Sequence, residues 1–308
     1  MGDHALAAES APAAPGDAGE RPDELPSPVR LRHPWRWVAV AVLAYVAVRV
    51  VLAFAGNDNM HWDVVGHYLF APAVLRGLLL TVELTAAAMG LAIAAGITIA
   101  LMRLSPNPVL STFGAGYVWF VRATPVVVQL LFWFFLAAVF PTISIDVPFG
   151  PTLFELDTNT LIGQFVAGML GLGISESAYV AEIVRAGIAS VDRGQTEASQ
   201  SLGMSRMRMM RWVILPQAMR VIIPPVGNAV INMTKMTAVV LIIGLPDLMT
   251  SVQLIYSRNF FQIPLLTVAC FWYVLLVSAL TVLQLRLERR FGRGVLGNPV
   301  ARRSRRGR

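Results

Sequence analysis

The stretch Ser190-Val191-Asp192-Arg193-Gly194-Gln195-Thr196-Glu197-Ala198-Ser199-Gln200-Ser201-Leu202-Gly203-Met204-Ser205, followed by a basic run ending Val213-Ile214-Leu215-Pro216-Gln217, decides how this chain is read. It is the one sizeable polar interior segment, and it separates two long apolar runs. Its charged side chains are too costly for lipid, so it belongs in water. Asp192 is placed to cap a short helix from Gln195 to Leu202, because an Asp oxygen accepts from the free N–H groups of a first turn. Ala198, Ser199 and Ser201 are small enough to let another surface approach closely. Gly203 should end the helix, since glycine adopts left-handed geometry at little cost. Such a knob is either a docking element or a solvated helix-turn-helix.

Working outward, hydrophobic residues make up 56% of the 308 and charged residues only 14%. That balance excludes a water-soluble domain and predicts an integral membrane protein. A spanning helix needs about 20 mostly apolar residues. Segments 37–55, 77–102, 114–139, 164–186, 225–246 and 264–285 meet that length, which predicts an all-α chain of six transmembrane helices. An even number places both ends on one side. Stretch 140–163 carries Asp146, Glu155 and Asp157 with no Lys or Arg, and 56–76 and 247–263 carry few arginines. The opposite stretches hold Arg30, Arg32, Arg36, Arg103, Arg193, Arg206, Arg208, Arg211, Arg220 and a C-terminal arginine-rich tail. The positive-inside rule therefore predicts cytoplasmic termini and a cytoplasmic Glu197 loop in a multi-pass inner-membrane protein. Residues 1–36 and 290–308 are expected as cytoplasmic tails, the first of disordered composition.

The polar segment and its flanks resemble the cytoplasmic EAA motif of ABC importer permeases. Glu197-Ala198-Ser199 stands for Glu-Ala-Ala, Gly203 lies four residues beyond the third position, and Leu215-Pro216 follows. Ala178-Tyr179-Val180-Ala181-Glu182-Ile183-Val184-Arg185-Ala186-Gly187 before it, and Gln217-Ala218 with Pro224-Pro225 after it, point to the polar amino acid subfamily. That resemblance implies a type I importer fold with residues 73–289 as the permease domain, 190–216 as its coupling loop, and 37–55 as an additional N-terminal anchor helix. It implies that Gln195, Glu197, Ala198, Ser199, Leu202, Gly203 and Met204 contact a separate ATPase subunit, which carries the ATP and Mg. An extracytoplasmic solute-binding protein, a second permease copy or homologue, and a polar amino acid substrate are further partners it implies. The alternatives are an importer of another small polar solute such as an opine, or a non-transporting receptor or scaffold.

Ionisable groups inside a membrane are rare and usually face the bundle interior or a partner. Lys235 is the only lysine, and Asn228, Asn232 and Lys235 share one face of the fifth span. Glu176 and Tyr179 share a face of the fourth. Glu176 and Lys235 lie at similar depth, so they either line the central cavity with Gln129 and Thr237 or form a salt bridge. The family's Lys-Asp-Thr-Ser-Leu appears here as Lys235-Met236-Thr237-Ala238-Val239, two polar positions having become apolar. Phe120-Val121-Arg122-Ala123-Thr124-Pro125 is similar to the family's Phe-Arg-Gly-Thr-Pro. Pro125 should bend that helix, and Arg122 is a candidate partner for Glu182.

Other functions fail on inventory. No phosphate-binding Gly-x4-Gly-Lys-Ser/Thr loop surrounds Lys235, so no nucleotide or other cofactor site is expected on this chain, which reads as a transport subunit and not an enzyme. His61 and His67 with Asp58 and Asp63 are better read as polar loop residues than as a metal site, and Cys270 has no partner for a disulfide. The net charge of +7 does not argue for nucleic acid, because Arg286, Arg289, Arg290, Arg293 and the arginines beyond follow the last apolar run. The cationic face of Met204–Trp212 fits anionic lipid headgroups instead.

Overall fold

The computed structural model describes residues 35–146 and 152–291. The tails expected at 1–36 and 290–308 lie almost wholly outside the described residues. The chain divides into two compact units, Met1–Asn57 and Asp58–Arg308. In the first unit α1 (Trp35–Ala55) is apolar apart from Arg36, Tyr45 and Arg49, and buries none of its residues. Its 21 residues reach about 30 Å, the thickness of a hydrocarbon core.

The second unit is a helical bundle. After α2 (Trp62–Leu69), α3 runs from Pro72 to Arg103, with proline at a first-turn position where its missing N–H costs nothing. Next, α4 (Pro108–Ala123) and α5 (Val126–Phe134) form one broken span, bent by 97° at Thr124-Pro125. The proline bend expected inside a continuous 114–139 helix is thus a full break. At its centre lies α7 (Gln164–Ala189), packed on α3, α4, α5 and α10. Small residues make that possible: a Cβ on Gly171 would stand 2.7 Å from the Leu130 Cα of α5, and one on Gly96 of α3 2.7 Å from the Val180 side chain. In a membrane, where lipid is as apolar as leucine, this close approach supplies the packing that holds helices together.

Past α7 come α8 (Arg193–Ser201) and α9 (Arg206–Met209), a single π-turn (Met210–Ile214) and α10 (Leu215–Met236). The fifth span therefore starts well before residue 225, and Pro224 and Pro225 sit inside α10. The carbonyl of Pro224 accepts from Gln284 Nε2 at 3.3 Å, so a neighbouring helix serves backbone near the prolines. A 3₁₀ turn (Thr237–Ile243) leads to α11 (Leu248–Asn259), capped by Asp247 Oδ1 from the Thr250 N–H at 2.9 Å, and then to α12 (Gln262–Phe291). Leu248, Val252, Leu265 and Val268 join α11 and α12 to Val74 of α3 in a second buried cluster.

Helices α1, α3, the run Arg206–Ile243 and α12 are each long and apolar enough to cross a membrane, and α4–α5 make a broken fifth. The fourth expected span, α7, has the length at 26 residues but carries Glu176, Glu182 and Arg185. Most of its small residues, with Glu176 and Ser177, are buried against neighbouring helices, which is why it is less apolar than the others. Short α6 (Thr158–Leu161) precedes it. One element falls outside the helical expectation: β1 (Thr142–Asp146) pairs antiparallel with β2 (Thr152–Asp157). The alternation Thr-Ile-Ser-Ile-Asp was the available signal.

Candidate coupling segment and polar path

At one end of the bundle α7 stops at Ser190, and the chain turns into α8. Asp192 Oδ1 accepts from the Gly194 N–H at 2.7 Å, capping the helix as its position predicts. At the other end Gly203 has φ +70, with the Gly203 N–H bonded to Gln200 O at 2.9 Å and the Met204 N–H to Ser199 O at 3.1 Å. Those two bonds define a Schellman close, which satisfies carbonyls the helix would leave free. Ser199 is buried and donates to Gln195 O at 2.6 Å, so its side chain faces inward. Gln217 Nε2 of α10 reaches Gln195 Oε1 at 3.4 Å. Outward face Glu197, Ala198 and Gly203, while Met204 is half-buried. Leu202 is 81% exposed, the behaviour of an apolar anchor without its seat.

Behind this knob the same end of the bundle is tied by charge. Glu182 of α7 binds Arg103, the last residue of α3, and also Arg185 Nη2 at 2.7 Å. The expected Arg122–Glu182 pair is absent. Arg122 instead stands over the ring of Tyr179, 5.1 Å from its centroid, a cation–π contact. Arg103 lies 79 residues from Glu182 along the chain, so no local pattern could have revealed it as the partner.

The polar residues expected along the membrane path separate into three groups. Tyr179, Asn232 and Lys235 are exposed on the bundle surface. Glu176 is only 8% exposed, and among the described residues it forms no ion pair with Lys235, so the salt-bridge alternative is not realised. Gln129, Asn228 and Thr237 are hydrogen-bonded within the bundle, Asn228 while exposed. Gln129 Nε2 donates to Val121 O at 3.0 Å and to Thr124 Oγ1 at 2.9 Å, filling the gap that the break leaves. Asn228 Oδ1 accepts from Gln284 Nε2 of α12 at 3.0 Å. Thr237 is fully buried and donates to Thr234 O at 2.9 Å. Gln284, which bonds Asn228 and Pro224 on α10 as well as Glu288 on its own helix, is a residue the sequence reading missed.

His61 stands at the N-cap of α2 and its ring packs edge-on to Phe261 at 4.9 Å, while His67, expected in a loop, lies in the last turn of α2 and packs on Tyr68 at 4.8 Å. Among the described residues no group of three His, Cys, Asp or Glu side chains converges as a metal site would.

A bundle of membrane-length helices with a capped polar knob at one end fits the class of transport permeases. The chain is a member of the family described as binding-protein-dependent transport system inner membrane component, which matches residues 92–293. It is 39% identical over 283 residues to the arginine transport system permease protein of Corynebacterium glutamicum, covering 90% of this chain and 87% of that one. It is 32% identical over 220 residues to the glutamate/aspartate import permease protein of Escherichia coli O6:H1, covering 71% and 93%. Among solved structures, an amino acid ABC transporter crystallised with histidines superposes at a TM-score of 0.59 with 35% identity, over 71% of this chain and 94% of the other. The inward-facing MetNI methionine ABC transporter, at 17% identity and a TM-score of 0.58 over 76% and 99%, shares the fold.

Proposed function

We propose that this chain is the translocation subunit of an ATP-driven importer that carries a polar amino acid inward, with ATP hydrolysed on a partner chain. The supporting observation is the α8 knob: a helix closed at both ends that presents Glu197 and the 81%-exposed Leu202 with nothing among the described residues to cover them. Leu202 and Met204 seat in an apolar groove of the ATPase while Glu197 fixes orientation by hydrogen bonds. Arginine, glutamate and aspartate in the names of the relatives favour amino acids as cargo.

In this reading both termini and residues 190–216 are cytoplasmic, 37–55 anchors the chain, and 73–289 forms the permease domain between the two tails. Two permease subunits enclose the path, with Tyr179, Asn232 and Lys235 facing it and Glu176 a buried carboxyl group on the same helix as Tyr179. ATP binding draws the two ATPases together and, through the two knobs, turns the cavity outward to receive cargo from a binding protein. Hydrolysis returns it inward, a two-state cycle in which nucleotide biases one conformation. The test is reconstitution in liposomes with the ATPase and binding protein encoded beside it and a panel of labelled amino acids. ATP-dependent accumulation of at least one is the expected result; accumulation of none, with all partners assembled, contradicts the proposal.

A further inference from the structure

Helix α3 carries Arg76 and Glu83 seven residues apart, two helical turns and hence the same face. Across from them, the last turn of α11 carries Arg258 and Asn259. All four, with Ser251, line one cavity of about 740 Å³ whose remaining wall is largely apolar. That size and mixture, an apolar lining with a few convergent polar groups, is typical of small-molecule sites.

The charges in this cavity are left open. Among the described residues Arg76, Glu83 and Arg258 form no ion pair; the ion pairs of the bundle are those of Glu182 at its other end. A rise of 1.5 Å per residue holds the anchor points of Arg76 and Glu83 about 10 Å apart on a rigid helix, which opposes mutual collapse. Two guanidiniums and a carboxylate at the rim of an apolar cavity, kept from neutralising one another, are complementary to a molecule with both charges. A carboxylate is the group that guanidinium forks bind best, in two parallel hydrogen bonds. A carboxylate such as Glu83 binds an ammonium.

We infer that this cavity is a reception site for a free α-amino acid, whose carboxylate is held by Arg76 and Arg258 and whose ammonium is held by Glu83. It is separate from the path proposed above, since none of Tyr179, Asn232 and Lys235 lines it. Arg76 and Glu83 fall in the first half of α3, the end remote from Arg103 and the Glu182 cluster. On the proposed orientation, on which this inference rests, that end faces outward, where a binding protein delivers cargo. The site thus holds the solute before it enters the bundle.

The experiment measures equilibrium binding of labelled L-glutamate, L-glutamine and L-arginine to the full chain in lipid nanodiscs, each against its decarboxylated amine. The amino acid is expected to bind at least about tenfold more tightly than its amine, the usual effect of losing a charged hydrogen-bonding group. Arg76→Gln and Arg258→Gln should each weaken the amino acid by a similar factor and shrink its advantage over the amine. Glu83→Gln should weaken both ligands alike. Arg258→Lys and Glu83→Asp, which keep the charge, serve if a neutral variant does not insert, and should retain intermediate affinity. Wild-type affinity in all three neutral variants overturns the inference. So does unchanged amino acid binding with loss of binding-protein attachment, which would make these charges a protein docking patch. Uptake by the wild-type reconstituted complex separates the two claims: if uptake is present while the variants bind normally, only the reception site fails.

Discussion

The α8 knob and the membrane-embedded polar residues are both short polar stretches set among apolar helices, yet different forces fix them. The knob is closed by its own neighbours: Asp192 caps it two residues away, and Gly203 with Met204 seals it against Gln200 and Ser199. Glu182, by contrast, is held by Arg103 from a helix 79 residues distant, and Asn228 by Gln284, 56 residues distant. Local closure leaves the outward side chains of α8 free for a partner. Long-range closure spends the side chain inside the fold. On α8 the near neighbours satisfy the backbone and leave outward side chains such as Glu197 and Leu202 available, whereas at Glu182 and Asn228 a distant helix engages the side chain.

The strongest way to break that contrast is Glu197→Lys. It reverses an exposed charge that forms no ion pair among the described residues, so the fold should be unchanged. Truncating one member of a docked charge pair costs about 2–5 kcal/mol; charge reversal should cut ATP-driven uptake in proteoliposomes by about thirtyfold or more. Glu182→Gln is the opposite case. It leaves Arg103 and Arg185 facing each other without their carboxylate. Breaking a fully buried pair costs about 3–5 kcal/mol. These side chains are 21% to 34% exposed, so solvent screening lowers the expectation to about 1–2 kcal/mol. Thermal unfolding in detergent should register it.

Lys235→Met sharpens the comparison from within the membrane. Lys235 is exposed and makes no ion pair among the described residues, so the melting temperature should stay constant. The half-saturating amino acid concentration for uptake should rise by roughly tenfold, the loss of one charge-assisted contact. A fall in stability with normal uptake would place Lys235 with the residues engaged within the bundle. The smallest effect is expected for Asp192→Ala. Removing the cap costs about 1 kcal/mol of helix stability, which should appear as faster amide exchange confined to 193–201, with uptake reduced in proportion.

Legibility in the sequence follows the same division. The cap at Asp192, the left-handed Gly203, a disruption at Pro125, expected as a bend and found as a break, and most of the apolar spans depend on residues within a few positions, and each can be read from the order of the chain. Partners across helices cannot. Arg122 and Glu182 lie at similar depth by counting, yet Arg122 stacks on Tyr179 and Glu182 turns to Arg103 and Arg185. Depth along a helix fixes one coordinate, while the rotation of each helix and its nearest neighbour depend on packing, here on glycines such as Gly171 and Gly96 that let α7 nest against α5 and α3. The hairpin at Thr142–Asp157 was hidden for a different reason: a strand alternation in a loop is weak beside six long apolar runs.

The central claim, that α8 transmits force from an ATPase, is tested most directly by cross-linking. Cys270 is the only cysteine and is exposed, so a Cys270→Ala background gives a clean chain. Ala198→Cys in that background, assembled with the ATPase and binding protein, should cross-link to the ATPase subunit, with a yield that changes when ATP is added. A membrane-impermeant thiol reagent should reach position 198 only from the cytoplasmic side. Labelling from the outside, or uptake that proceeds at full rate with no ATPase attached, would contradict the account.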